Sequence, residues 1–258
     1  MSVLAATGIS VSFGGVHAVV DVELEVGEGK LVGLIGPNGA GKTTFIDAIS
    51  GFVRSKGRVE LDGHDLTRLP PHARAQRGLA RTWQSIELFD DLSVRENLFV
   101  ASHRPSVWRT IGETVSRPDS GTAEVGPALE LLGLESVAEA MPNELSQGQR
   151  KLVGIARALV AKPRLVCLDE PAAGLDTHES EELGRRLRSL ADNGQAMLLV
   201  DHDMGLVLSI SDYVVVLEFG RVIAHGPPDV VRRDPSVIEA YLGSAASSVE
   251  QEVAGSAE

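Results

Sequence analysis

The chain predicts an α/β protein built on an open sheet, with phosphate chemistry at one edge. Three observations carry that reading. An apolar stretch at residues 31–35 runs into Gly36-Pro-Asn-Gly-Ala-Gly-Lys-Thr43 and then into a helical pattern. In the second half, strand-like apolar runs alternate with helices, the order expected of a layered α/β domain. Two of those later runs end in Asp169-Glu170 and in Asp201-His202, where Asp169, Glu170 and His202 are able to do chemistry.

The elements follow in order. Val20, Val22, Leu24 and Val26 alternate with Asp21, Glu23 and Glu25, the period of a half-buried strand. Phe45, Ile46, Ala48 and Ile49 mark a helix after the glycine-rich loop. Residues 59–61 and the turn Asp62-Gly63 continue the β pattern. Pro70-Pro71 interrupts the chain before a basic segment whose Arg74, Arg77 and Arg81 read as a solvated face. Ser93 and Glu96 have the capping-box spacing and open a helix through residue 101. Residues 102–127 carry Pro105, Gly112, Pro118, Gly121, Gly126 and Pro127 and read as loop or short helices, with helix at 128–132 and 136–140. The strongest helix follows Ser146, since Leu152, Ile155, Ala156, Leu159 and Val160 share one face. Strands at 165–168, 196–200, 213–217 and 221–224 accompany a charged helix near 177–193. Residues 244–258 are small, polar and acidic and read as a disordered tail. The unit occurs once, with no internal repeat.

Composition bounds the function. The 258 residues include 24 Lys+Arg and 36 Asp+Glu, a net charge of −12. That balance argues against nucleic acid or an anionic membrane surface as a bulk partner. The longest apolar runs are about five residues, whereas a membrane-spanning helix needs about 20. No signal peptide is visible at the N-terminus. One cysteine, Cys167, excludes an intrachain disulfide and any Cys-rich metal site and reads as core packing. These features fit a reducing, cytoplasmic compartment.

The loop from Gly36 to Thr43 fits the P-loop pattern. Its glycines Gly36, Gly39 and Gly41, with Asn38 and Ala40 between them, let backbone N–H groups turn inward on phosphates. Lys42 reaches the β/γ-phosphates, the Thr43 hydroxyl ligates Mg²⁺, and Thr43-Thr44 open a helix whose positive end faces the same anion. A glycine-rich turn that binds nothing is the competing reading, and the strand-to-helix context opposes it. Asp169 and Glu170 end a second strand, where P-loop ATPases hold Mg²⁺. Asp169 would serve the metal through water and Glu170 would polarise the attacking water; alone, the pair reads sooner as solvated acids, and the P-loop reverses that order. His202 ends a third strand and would contact the γ-phosphate or the water from the same sheet edge. Ser146, Gln147, Gly148 and Gln149 open the strongest helix, either as an anion site or as a plain N-cap. Gln84 could offer its amide oxygen to Mg²⁺. Phe13 could stack on adenine or sit in the core.

Together these residues resemble the ATP-binding cassette (ABC) ATPases. The P-loop, Gln84, LSQGQ, LVCLDEP, Asp176 in AAGLD and His202 occur in that family's order, over residues 1–243. The resemblance implies a P-loop NTPase fold with a RecA-like core, an antiparallel β subdomain and an inserted helical subdomain near residues 86–157. It implies two copies, or this chain and a second ABC ATPase subunit, paired head to tail. ATP on Lys42 and Thr43 of one would meet Ser146, Gly148 and Gln149 of the other, with Asp176 at the dimer contact and Phe13 on adenine. Gln84 would link Mg²⁺ to integral-membrane permease subunits, Glu170 would be the catalytic base and His202 the γ-phosphate contact. Ile86, Leu88 and Phe89 are candidates for the groove that receives a permease helix.

A narrower similarity is to the branched-chain amino-acid (LIV-type) importer ATPases, of the LivG rather than the LivF type. It is carried by DLTRLPPHARAQRGLARTWQSIELFDDLSVRENLFVA and RVIAHGPPDVVRRDPSVIEAYLG. It implies a cytoplasmic subunit peripheral on the inner face of the membrane, with an extracytoplasmic solute-binding protein as an indirect partner. Urea and amide importers share much of this pattern. A soluble ABC ATPase of DNA repair or translation would carry a coiled-coil insertion or a second cassette, and neither is present. A non-hydrolysing regulator would need Glu170 or His202 replaced. Three positions depart from the family's usual residues: Gln147 stands for Gly or Tyr, Trp83 for Phe and Asp201 for Glu.

Overall fold

The alternation at residues 20–26 belongs to a long antiparallel pair, β1 (Ser2–Phe13) and β2 (Val16–Gly27). The computed structural model describes residues 2–83, 87–102 and 122–242. After the hairpin come β3 (Leu31–Ile35), α1 (Lys42–Ser50), β4 (Lys56–Leu61), β5 (His64–Asp65), α2 (Pro71–Gln76) and β6 (Leu79–Arg81). Then follow α3 (Val94–Ser102), α4 (Thr122–Leu132) and α5 (Gln147–Leu159). The chain continues with β7 (Leu165–Asp169), α6 (Thr177–Asp192), β8 (Ala196–Val200), α7 (Met204–Ile210), β9 (Tyr213–Glu218), β10 (Arg221–Gly226) and α8 (Pro228–Val231). One sheet has the order β2-β1-β4-β5 and is antiparallel. The other has the order β10-β9-β3-β8-β7-β6 and is parallel apart from its β9–β10 edge.

β3, β7 and β8 are buried at every residue, as parallel strands covered on both faces must be. Successive residues face opposite ways, so each strand feeds two cores. Ile35, Leu168, Leu199 and Val216 join the core under α4, α5, α6 and α7. Leu34, Cys167, Leu198 and Leu217 join the core shared by α1 and the antiparallel sheet. Burial pushes the Cys167 thiol up to about 12, so it remains a protonated packing group. Gly33 is required by close approach, because a Cβ there would collide with Val207 of α7.

The expected elements form, with local differences. Ser93 and Glu96 make the reciprocal capping bonds at the start of α3. The segment expected as loop or short helices is helical from Thr122, and Pro127 lies inside α4. Val125, Ala128, Leu129 and Leu132 are buried at i, i+3, i+4 and i+7, so packing of this face outweighs the lost proline N–H. The helix expected at 136–140 is a single 3₁₀ turn, Glu135–Val137. Residues 103–121 and the tail from residue 243 lie outside the described residues.

The basic segment is not a solvated face; only Arg77 of its three arginines is exposed. Arg74 is buried and its guanidinium donates to the carbonyls of Leu69, Ala48, Ile49 and Thr67 at 2.7–2.9 Å. It thereby closes the C-terminal end of α1, where backbone carbonyls lack helical partners. The Arg81 side chain is 6% exposed and ion-paired. Arg74→Ala leaves four carbonyls without this donor and is expected to cost about 3 kcal/mol. Urea unfolding should show that loss as a lower midpoint at unchanged slope; a wild-type midpoint would refute the capping role.

Candidate functional site

The loop between β3 and α1 is held from both sides. Gly36, Gly39 and Gly41 have φ of 154°, 79° and 102°, where a side chain is strained. A Cβ at Gly36 would collide with the Leu217 carbonyl, and one at Gly41 with that of Ala18. Gly220 N donates to Ala40 O at 3.0 Å, and Val20 N donates to Gly220 O at 2.8 Å. The loop is thus clamped between β2 and the β9–β10 turn. α1 has no side-chain cap and no acidic residue in its first turn, so its N-terminal amides and positive dipole end are available to an anion.

Lys42 is buried, and its Nζ donates to Gly36 O at 2.7 Å and Pro37 O at 3.0 Å. Burial lowers its pKa, and the charges of Glu170, Asp201 and Asp169 partly restore it. Asn38, Gly39 and Thr43 are exposed, and Thr44 is half-buried.

Asp169 ends β7, buried, with Oδ2 2.9 Å from Arg81 Nη2. Its Oδ1 is also buried and has no hydrogen-bond partner among the described residues. Glu170 follows with φ 48° and is partly exposed. Its N–H donates to Val200 O at 2.7 Å, which ties the bend to β8. Beyond β8, fully buried Asp201 accepts from the backbone N–H groups of His202 (2.8 Å), Asp203 (3.1 Å) and Ala172 (3.2 Å). It therefore locks the segment after Glu170 to the segment carrying His202. The His202 ring is exposed, with Nδ1 3.4 Å from Asp201 Oδ1. Lys151 of α5 is buried too. Burial lowers its pKa, against the charges of Asp201 and Glu170.

Ser146 and Gln149 form a reciprocal capping box on α5, at 3.2 and 2.9 Å. Gly148 N donates to Glu179 Oε1 at 3.1 Å. Glu179 also pairs with Asp176, whose Oδ1 accepts Glu179 N at 2.8 Å as the cap of α6. Gln147 lies against Gly174. The structure therefore makes two groupings: Lys42 with Asp169, Glu170 and Asp201, and Ser146–Gln149 with Asp176 and Glu179. Phe13 is 54% exposed at the end of β1, which removes its core reading. Leu88 is a core residue, not a groove residue, while Phe89 is exposed under Arg157. Gln84 and Ile86 lie outside the described residues.

Sequence reasoning missed Arg81, Asp201, Lys151 and Glu179. Arg81 closes the apolar pair Leu79-Ala80, and a strand reading of that stretch would have buried it. Asp201 figured only as a departure from Glu, and its acceptor role depends on Ala172, which sequence does not place.

A phosphate-binding loop at one strand end, with carboxylates at the end of a strand in the same parallel sheet, defines a P-loop nucleoside triphosphatase. The family profile described as ABC transporter matches residues 19–173. A second, described as Branched-chain amino acid ATP-binding cassette transporter, matches residues 221–247. The chain is 38% identical to the high-affinity branched-chain amino acid transport ATP-binding protein BraF of Pseudomonas aeruginosa, over 94% of this chain and 98% of that protein. It is 37% identical to LivG of Escherichia coli K12, over the same shares. A solved ATP-binding cassette of an ABC transporter, in its ADP conformation, superposes with a TM-score of 0.83 at 30% identity, over 94% of this chain and 99% of that one. The chain belongs to the ABC transporter family and is an ATP-binding cassette ATPase.

Gly41→Ala places a methyl against the Ala18 carbonyl at a left-handed φ. Strain of about 1–3 kcal/mol at this turn should weaken ATP binding by roughly tenfold or more. Equilibrium dialysis with labelled ATP checks this, and unchanged affinity would show that the loop tolerates the methyl.

Proposed function

We propose that this chain is the ATP-hydrolysing subunit of an importer for branched-chain or related amino acids, working with separate membrane permease subunits. The observation that carries the ATPase part is the convergence of Lys42, Asp169, Glu170 and His202 on one edge of the parallel sheet. In this reading the amides of residues 36–44 and Lys42 bind the β- and γ-phosphates, and Phe13 covers the adenine. Thr43, Asp169 and Gln84 hold Mg²⁺; the buried, unmet Oδ1 of Asp169 fits a divalent cation or its water. Mg²⁺ would neutralise charge on the transferring phosphoryl group. Glu170 orients and polarises the attacking water, and His202, held through Asp201, contacts the γ-phosphate.

A second ATPase subunit, identical or related, completes the site with its Ser146, Gln147, Gly148, Gln149 and Asp176. The motor comprises residues 1–243, with a helical subdomain near residues 86–157. No helix among the described residues is long and apolar enough to cross a membrane. The subunit is placed on the inner membrane face by permeases, and a solute-binding protein acts through them. Nucleic acid has no part in the cycle.

The cargo reading rests on the match at residues 221–247 and on BraF and LivG. One observation favours a second reading. The lipopolysaccharide export system ATP-binding protein LptB of Escherichia coli K12 is 35% identical over 94% of this chain. Co-expression with candidate permeases and a binding protein decides between them: ATP-dependent uptake of leucine into vesicles supports the importer, and its absence with a fully active ATPase sinks the cargo assignment.

Glu170→Gln should lower ATP turnover by roughly a hundredfold or more. ATP affinity should be retained, with an ATP-dependent dimer accumulating on size exclusion. Turnover near wild type would remove Glu170 as the base.

A further inference from the structure

Arg81 is the one side chain that joins the P-loop helix to the Asp169 carboxylate among the described ion pairs. Nη1 donates to Asp47 Oδ1 of α1 at 2.5 Å, and Nη2 donates to Asp169 Oδ2 at 2.9 Å. Its guanidinium carbon lies 4.4 Å from the Trp83 ring centre and 5.7 Å from that of Phe52. The two rings meet edge to face at 5.0 Å, and each is 51% exposed. Arg81 and Trp83 line both of two neighbouring cavities, of about 550 and 360 Å³.

A carboxylate can present either oxygen by turning about its last bond. Arg81 breaks that equivalence at Asp169, because it occupies Oδ2 and leaves Oδ1 unmet. The fork is itself held, by Asp47 at one end and by stacking on Trp83 across its face. We propose that Arg81 is a positioning residue for ATP hydrolysis: it fixes Asp169 with Oδ1 toward the metal–nucleotide, and the exposed Trp83 ring holds Arg81 in place. This rests on the assignment of Asp169 to Mg²⁺ made above.

Charge alone argues for the opposite effect. A guanidinium beside the carboxylate repels a divalent cation, so an Arg81 acting only through charge would weaken metal binding, and its removal would tighten it. Positioning predicts that removal weakens it. The sign of the change therefore separates the two roles.

The test uses the full chain and calorimetric titration with ADP, once with Mg²⁺ and once with EDTA. The ratio of the two dissociation constants reads the metal without turnover. Arg81→Gln should shrink that ratio by roughly tenfold or more, the usual loss when a residue that orients a metal ligand is removed, with EDTA affinity kept within about twofold. Arg81→Lys keeps the charge and loses the fork, and should fall between wild type and Gln. Trp83→Ala, a surface change, should move the ratio in the same direction. If Arg81→Gln does not fold, the Lys and Trp83 variants decide alone. A ratio that is unchanged or enlarged overturns the positioning role. Asp169→Asn distinguishes the underlying assignment: it should abolish the Mg²⁺ gain, and a gain that survives there overturns the assignment itself.

Discussion

Burial of the central strands on both faces is the constraint on which the rest depends. In β3, β7, β8 and β9 alternate side chains enter two separate apolar cores. Such a sheet has no polar face on which a functional group could be set without a desolvation cost. The first positions outside both cores are the strand ends. Because β3, β7 and β8 run parallel, their ends share one edge. Gly36, Asp169-Glu170 and Asp201-His202 are neighbours for that reason, although they are far apart in sequence. The site is a consequence of topology before it is one of chemistry, as in open α/β sheets generally.

Placing charges at that edge is costly, and the structure offsets the cost group by group. Lys42 gives its protons to two loop carbonyls. Asp201 accepts three backbone N–H groups, and Asp169 shares Arg81 with Asp47. Each such contact offsets part of the cost of removing a carboxylate from water. Asp169 Oδ1 is the exception among the buried carboxylate oxygens of the described residues. Its demand is met by nothing among the described residues, which is what a group reserved for a cation or its water requires.

Much of this was legible in the sequence, for identifiable reasons. The P-loop was legible because its glycines encode a backbone path that side chains would obstruct, and Gly36 and Gly41 occupy strained, crowded positions. Most strands were legible from apolar period and length, but not β6, whose stretch read as part of a basic solvated segment. Of α4 only residues 128–132 were legible; its first turns were not, since Pro127 is a strong local signal and the packing of Val125, Ala128, Leu129 and Leu132 that overrides it is tertiary. Nor were the arginines. A cation reads as solvated unless its acceptors are known, and those of Arg74 and Arg81 come from α1, from the loop before α2 and from β7. Exposure of Phe13 likewise depends on tertiary placement: it pairs with Val16 of β2 beyond the last β1–β4 pair, Ser10 with Lys56, which alternation does not specify.

The second grouping of site residues follows a different logic. Ser146 and Gln149 close the start of α5, Asp176 and Glu179 close the start of α6, and the Gly148–Glu179 hydrogen bond ties the two helix starts together. The amides that the family resemblance assigns to a phosphate are thus partly satisfied inside a single chain, so this turn can be rigid before any second subunit arrives. The P-loop edge is fixed by the parallel sheet and this turn by paired caps. None of the hydrogen bonds given above joins the two groupings. Two half-sites held by separate hydrogen bonds on one chain suit the head-to-tail pair proposed above, in which each half would meet the complementary half of another subunit.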